Sequence, residues 1–114
     1  MTPGYRALIH ASELGRVPVA LSNAENLFAE LGVEAVEIRM VAYADGVKGF
    51  CADGPNTAFM DRLAEQGVQF VVCANSLRSR NLVIEDFPDY VSTVPAGIAE
   101  LVVRQAEGWS YVRP

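Results

Sequence analysis

Histidine is nearly missing from this chain of 114 residues: His10 stands alone, and the two cysteines, Cys51 and Cys73, have neither C-x-x-C spacing nor a histidine cluster beside them. These shortages argue against a zinc site and against a disulfide scaffold, and no metal or organic cofactor is expected. Positive charge is also scarce. Nine basic side chains face fourteen acidic ones, for a net charge of −5, and no Lys/Arg cluster or basic helix face offsets the balance. A phosphate-backbone footprint is therefore missing, which removes nucleic acid from the expected partners. No charged-apolar-small signal opens the chain, and its apolar runs are strand-sized, far below the roughly 18 residues of a membrane span. No membrane association is expected, and the cytoplasm is the expected compartment. Internal repeats and low-complexity segments are absent.

What the chain does have is apolar mass, with 51% hydrophobic residues, enough to fill the core of one domain spanning residues 1–114. Strand-like and helix-like segments alternate along it. The pattern predicts strands over 5–10, 35–42, 69–73, 90–94 and 109–112. Helices are predicted over 17–31, 56–66, 76–80 and 98–107, the first, second and fourth stopped by Gly32, Gly67 and Gly108. A loop is expected from the Asp45-Gly46 turn to Pro55, and an acidic linker over 85–89. Crossovers of this length suit parallel pairing. The expected architecture is a three-layer α/β/α domain with a mainly parallel sheet of about five strands.

In such sheets ligands lie beyond the carboxyl ends of the strands, where this chain places His10, Tyr43 to Gly46, and Cys73 to Ser76. Cys73 is the residue with the most chemistry to offer. It follows an apolar strand at the point where a helix begins, beside unpaired N–H groups that favour thiolate over thiol. A buried, inert cysteine would fit the same apolar run. His10 has the one side chain whose ordinary pKa could help ionise a thiol near neutral pH, and it reads equally as a hydrogen-bonded residue at a strand end. Asn23 and Asn26 lie one turn apart on the first helix and can present two amides to one pocket, or fix a loop. Asn75 and Ser76 are candidates for the same site and are also good capping types. Arg78 and Arg80 read as solvated surface charges or as a source of positive potential near the thiol, and Glu100 and Glu107 as helix-face and interface charges.

Three stretches carry a resemblance: Ala20-Leu21-Ser22-Asn23-Ala24-Glu25-Asn26-Leu27, Val72-Cys73-Ala74-Asn75-Ser76-Leu77, and Val94-Pro95-Ala96-Gly97-Ile98-Ala99-Glu100-Leu101, with a closing Glu107-Gly108-Trp109-Ser110-Tyr111-Val112-Arg113-Pro114. Together they resemble the DsrE/DsrF-like family across nearly the whole chain. The resemblance implies a small α/β fold, a role in sulfur relay or intracellular sulfur oxidation, and assembly into a homo-oligomer, a trimer or hexamer. It also implies that Cys73 is the family's cysteine. Relatives often show His-Gly-x-Gly after the second strand, whereas this chain has Tyr43-Ala44-Asp45-Gly46. An imidazole is thus replaced by a phenol, which in its ordinary state stays protonated at neutral pH. Cys51 matches no motif position, and a resolving role for it would require its loop to fold over Cys73.

Two function classes follow. In the first, Cys73 is the catalytic thiol of a sulfur carrier or sulfurtransferase, accepting sulfane sulfur as a persulfide from a donor protein or small sulfur species and passing it to an acceptor. His10, Asn23, Asn26, Tyr43, Asn75 and Ser76 would support it or bind ligand. In the second, the protein is a non-catalytic oligomeric module that binds a small ligand or a protein, with Cys73 structural. A cysteine hydrolase is a distant third, since no carboxylate is in evidence to orient the one histidine.

Overall fold

The computed structural model describes residues 3–114. Five strands, β1 (Tyr5–Ala11), β2 (Val36–Ala42), β3 (Gln69–Cys73), β4 (Val91–Val94) and β5 (Ser110–Val112), form one parallel sheet in the order β4-β3-β2-β1-β5. Four helices connect them: α1 (Val17–Leu31), α2 (Thr57–Glu65), α3 (Ala74–Ser79) and α4 (Gly97–Ala106). The expected three-layer α/β/α architecture is thus the observed one.

Each strand alternates its side chains between two cores. Ala7, Ile9 and Ala11 of β1, Ile38 and Met40 of β2, and Phe70 and Val72 of β3 meet α1, α2 and α3 on one face. Leu8, Val41 and Val71 meet Leu101 of α4 and Trp109 on the other. The larger core is closed by fully buried Phe50 and Phe70, whose rings pack edge to face with centroids 5.2 Å apart. Helix α1 buries Val17, Ala20, Leu21, Ala24 and Phe28, which fall on one stripe of a 3.6-residue period. Pro18 sits in its first turn, and Gly32 stops it at a φ of 97°, a conformation that favours glycine.

The direction of the chain across the sheet positions everything that follows. From β1 to β4 each strand is laid beside the last, so right-handed crossovers put α1, α2 and α3 on the same face. The last connection returns across the whole sheet to place β5 beside β1, and α4 lies on the opposite face. The chain therefore leaves β3 toward one face and β4 toward the other. This divergence marks a topological switch point, where crevices open in sheets of this kind.

Two elements depart from the sequence pattern. The loop expected after Asp45-Gly46 holds a run of 3-10 turns over Ala44–Phe50, which tucks Val47 and Phe50 into the core. Helix α3 begins at Ala74 and not near residue 76, because β3 passes into it with no intervening loop. No helix among the described residues is long and apolar enough to cross a membrane.

Candidate functional site

Cys73 ends β3 and caps α3, with φ −80° and ψ 119°. Its side chain shares the α4 face with Val71, two residues back, and pairs in register with Val94 of β4. The thiol therefore lies in the cleft between β3 and β4, against the start of α4. Burial pushes its pKa up, but the Ser76 hydroxyl and the N–H groups of Gly97, Ser76 and Asn75 donate toward the sulfur and leave it below the ordinary thiol value. The starts of α3 and α4 thus both meet Cys73.

The loop after β2 makes this arrangement possible. The Ser76 Oγ accepts a 2.7 Å hydrogen bond from the Ala44 N–H, so its own proton is free to point at Cys73. Ala44 has a φ of 51°, a left-handed conformation uncommon for a residue with a side chain. Gly46 follows, and a Cβ there would stand 2.0 Å from the Ala11 carbonyl oxygen, so only glycine lets the loop close on β1. Tyr43, at the start of this loop, lies against Gly97 on one side and meets the His10 ring edge to face at 4.5 Å on the other.

His10 does not touch the thiol. Its strand is two places from that of Cys73, a separation of roughly 10 Å at ordinary strand spacing, and Tyr43 stands between them. Its Nδ1 shares a 2.6 Å hydrogen bond with the Tyr111 hydroxyl of β5, while Nε2 is buried without a partner among the described residues. Burial, and then the charge of Arg113, hold its pKa below the usual histidine value. The imidazole is accordingly neutral at physiological pH.

The remaining candidates divide. Asn75 and Ser76 join Cys73 through their N–H groups, and the Asn75 side chain accepts from Arg78. Asn23 and Asn26 do share a cavity, of about 330 Å³, but its other walls are Leu27 and Val112, and α1 puts it on the face away from Cys73. Cys51 packs on that same α1 and α2 side, in a cavity with Asp53, Leu82, Glu85 and Asp86. Burial and the charges of Asp53 and Asp86 raise its pKa and keep it a thiol. Arg80 pairs with Asp45 at 3.0 Å. Glu100 is covered, and accepts from Arg39 at 2.6 Å and from Arg104 at 2.7 Å. Gly97 carries no functional group and escapes a search for reactive side chains; its one sequence signal is the Val-Pro-Ala-Gly run that opens α4.

The site makes this a small α/β protein with a thiol at the switch point of its parallel sheet, met there by the starts of two helices. The chain belongs to the DsrE/DsrF-like family, whose model matches residues 6–114. Among solved structures it is similar to a protein of unknown function, MTH1491, from Methanobacterium thermoautotrophicum, at 38% identity and a TM-score of 0.90, covering 96% of this chain and 99% of that one. No curated protein matches.

Proposed function

We propose that the protein is a sulfur carrier or sulfurtransferase in which Cys73 holds sulfane sulfur as a persulfide. The observation that supports this reading best is the placement of Cys73 at the switch point, where it ends β3, caps α3 and has the start of α4 at Gly97 packed against it; burial raises its pKa, and donors from Ser76, Gly97 and Asn75 outweigh that and lower it. In the transfer step the Cys73 thiolate attacks the outer sulfur of a donor hydropersulfide. A sulfur–sulfur bond forms at Sγ, the donor's own breaks, and the donor leaves as a thiolate. The donors around Sγ stabilise the anion that attacks and the anion that re-forms when an acceptor thiol takes the sulfur. No cofactor enters the balance. Donor and acceptor are proteins or small sulfur species, and two unpaired thiols suit a reducing compartment, the cytoplasm.

A homo-oligomer, a trimer or hexamer, is part of the same reading. Helix α4 turns Ile98, Val102 and Val103 outward at 58%, 62% and 49% exposure, beside the short edge strand β5. Val102→Glu is expected to lower the mass found by light scattering without unfolding the chain. An unchanged mass would remove this face from the interface.

The second reading, a structural Cys73 in a non-catalytic binding module, is favoured by one observation: the residue is only 5% exposed. Alkylation of the native Cys51→Ser protein separates the two. A relay thiol reacts at neutral pH faster than a thiol of ordinary pKa, about 8.5. A structural thiol reacts only after denaturation.

A further inference from the structure

Gly97 opens α4 against the thiol, and its missing side chain is what allows the approach. A Cβ placed there would lie 2.8 Å from Tyr43 Cδ2, 3.0 Å from Tyr43 Cβ and 3.3 Å from Cys73 Cβ. Its φ is not left-handed, so the demand for glycine is one of space and not of backbone conformation. The first two contacts cannot be met without moving the Tyr43 ring or the helix, since Tyr43 is already held by His10 behind it. We propose that Gly97 is a positioning residue: by bringing the start of α4 within reach of Cys73, it aims its own N–H at the sulfur and fixes the thiolate between two helices.

The inference rests on Cys73 being the reactive thiol, and it extends that reading to the opposite layer of the fold. Helix α3 alone is a six-residue segment and supplies donors from one side. The ten-residue α4, from the other face of the sheet, brings its N-terminal end against Cys73. Charged groups on the surrounding elements are already engaged elsewhere. Asp45 is paired with Arg80 and Lys48, Glu100 with Arg39 and Arg104, and Arg78 with Asn75. Tyr43 is the titratable side chain packed against Gly97, and His10 lies beyond it. A change in the thiol's titration on altering Gly97 therefore reports how α4 meets the sulfur, through its hydrogen bonds and its burial, and not a change in a neighbouring charge.

The test uses the Cys51→Ser protein and follows the Cys73 alkylation rate against pH. Gly97→Ala is expected to raise the midpoint by about one pH unit, leaving about tenfold less thiolate at neutral pH. Adding Tyr43→Gly, which removes both of the closest atoms, is expected to restore most of the shift. A folded Gly97→Ala protein with the parent's midpoint would overturn the proposal. Should Gly97→Ala fail to fold, the parent decides: the Gly97 amide resonance is expected to move with pH at the same midpoint as the thiol. An amide that does not respond to thiol ionisation overturns the proposal. Neither readout involves sulfur loading, so a protein that positions its thiol in this way and never carries sulfur would be recognised as such.

Discussion

Replacing Ser76 by alanine deletes one oxygen and tests two claims at once. That oxygen accepts the 2.7 Å hydrogen bond from the Ala44 N–H and carries the proton that faces Cys73. Losing the acceptor leaves a part-buried N–H unpaired in a residue at φ 51°, which has few ways to re-form the bond. A buried orphan of this kind costs about 1–3 kcal/mol, and because water reaches part of this loop the lower end, about 1 kcal/mol, applies. Losing the proton removes a donor from the thiolate. A change of about 1.4 kcal/mol in its favour corresponds to one pKa unit, so the alkylation midpoint should rise by about that much. Urea unfolding reads the first effect and alkylation against pH, in the Cys51→Ser background, reads the second. Ser79→Ala is the control, since its hydroxyl donates to the Ser76 carbonyl on an exposed surface and does not face the sulfur. It should change stability by less than about 0.5 kcal/mol and leave the midpoint in place. If Ser76→Ala leaves both stability and midpoint at the parent's values, the hydrogen-bond chain from Ala44 to Cys73 does not operate.

His10 has a pKa below its unfolded value, so its neutral form contributes stability that is complete above about pH 6.5 and is lost as pH falls through the folded-state value. Unfolding free energies of the parent and His10→Asn, measured from about pH 8 to about pH 5, should therefore converge toward the acid end; parallel curves would mean that His10 titrates alike in both states. Glu100 has 10% side-chain exposure and accepts from both Arg39 and Arg104. Glu100→Gln leaves Arg39 under-paired in a covered position and should cost about 3 kcal/mol by chemical denaturation, whereas a cost below about 0.5 kcal/mol would show that solvent replaces the carboxylate.

Strand and helix positions were legible because parallel strands in this fold are apolar runs and α1, α2 and α4 keep a 3.6-residue stripe. Val71 and Val72 read as strand whichever core each of them joins. Strand order was not legible, since nothing in β4 or β5 names its neighbour. The sequence puts the start of α3 late because Asn75 and Ser76 look like helix caps, yet Cys73 itself is the cap and both residues lie within the first turn. Glu100 reads as a helix-face or interface charge because Arg39, its partner, is 61 residues away along the chain. His10 looked like a base for the thiol because both follow the carboxyl ends of strands; only the strand order shows that Tyr43 intervenes. Gly97 is visible only in the Val-Pro-Ala-Gly run that leads into the predicted helix, while its role depends on Tyr43, just after β2, and Cys73, at the end of β3, meeting at one point.

The measurement that bears most directly on the sulfur-carrier reading is intact mass and peptide mapping after exposure to polysulfide, with alkylation to trap persulfides. The parent and Cys51→Ser are expected to gain sulfur on the peptide that contains Cys73. Cys73→Ser should gain none while unfolding at nearly the parent's temperature, because a serine oxygen can accept the N–H donors that face the sulfur but cannot become a persulfide. Equal loading of the parent and Cys73→Ser would contradict the reading.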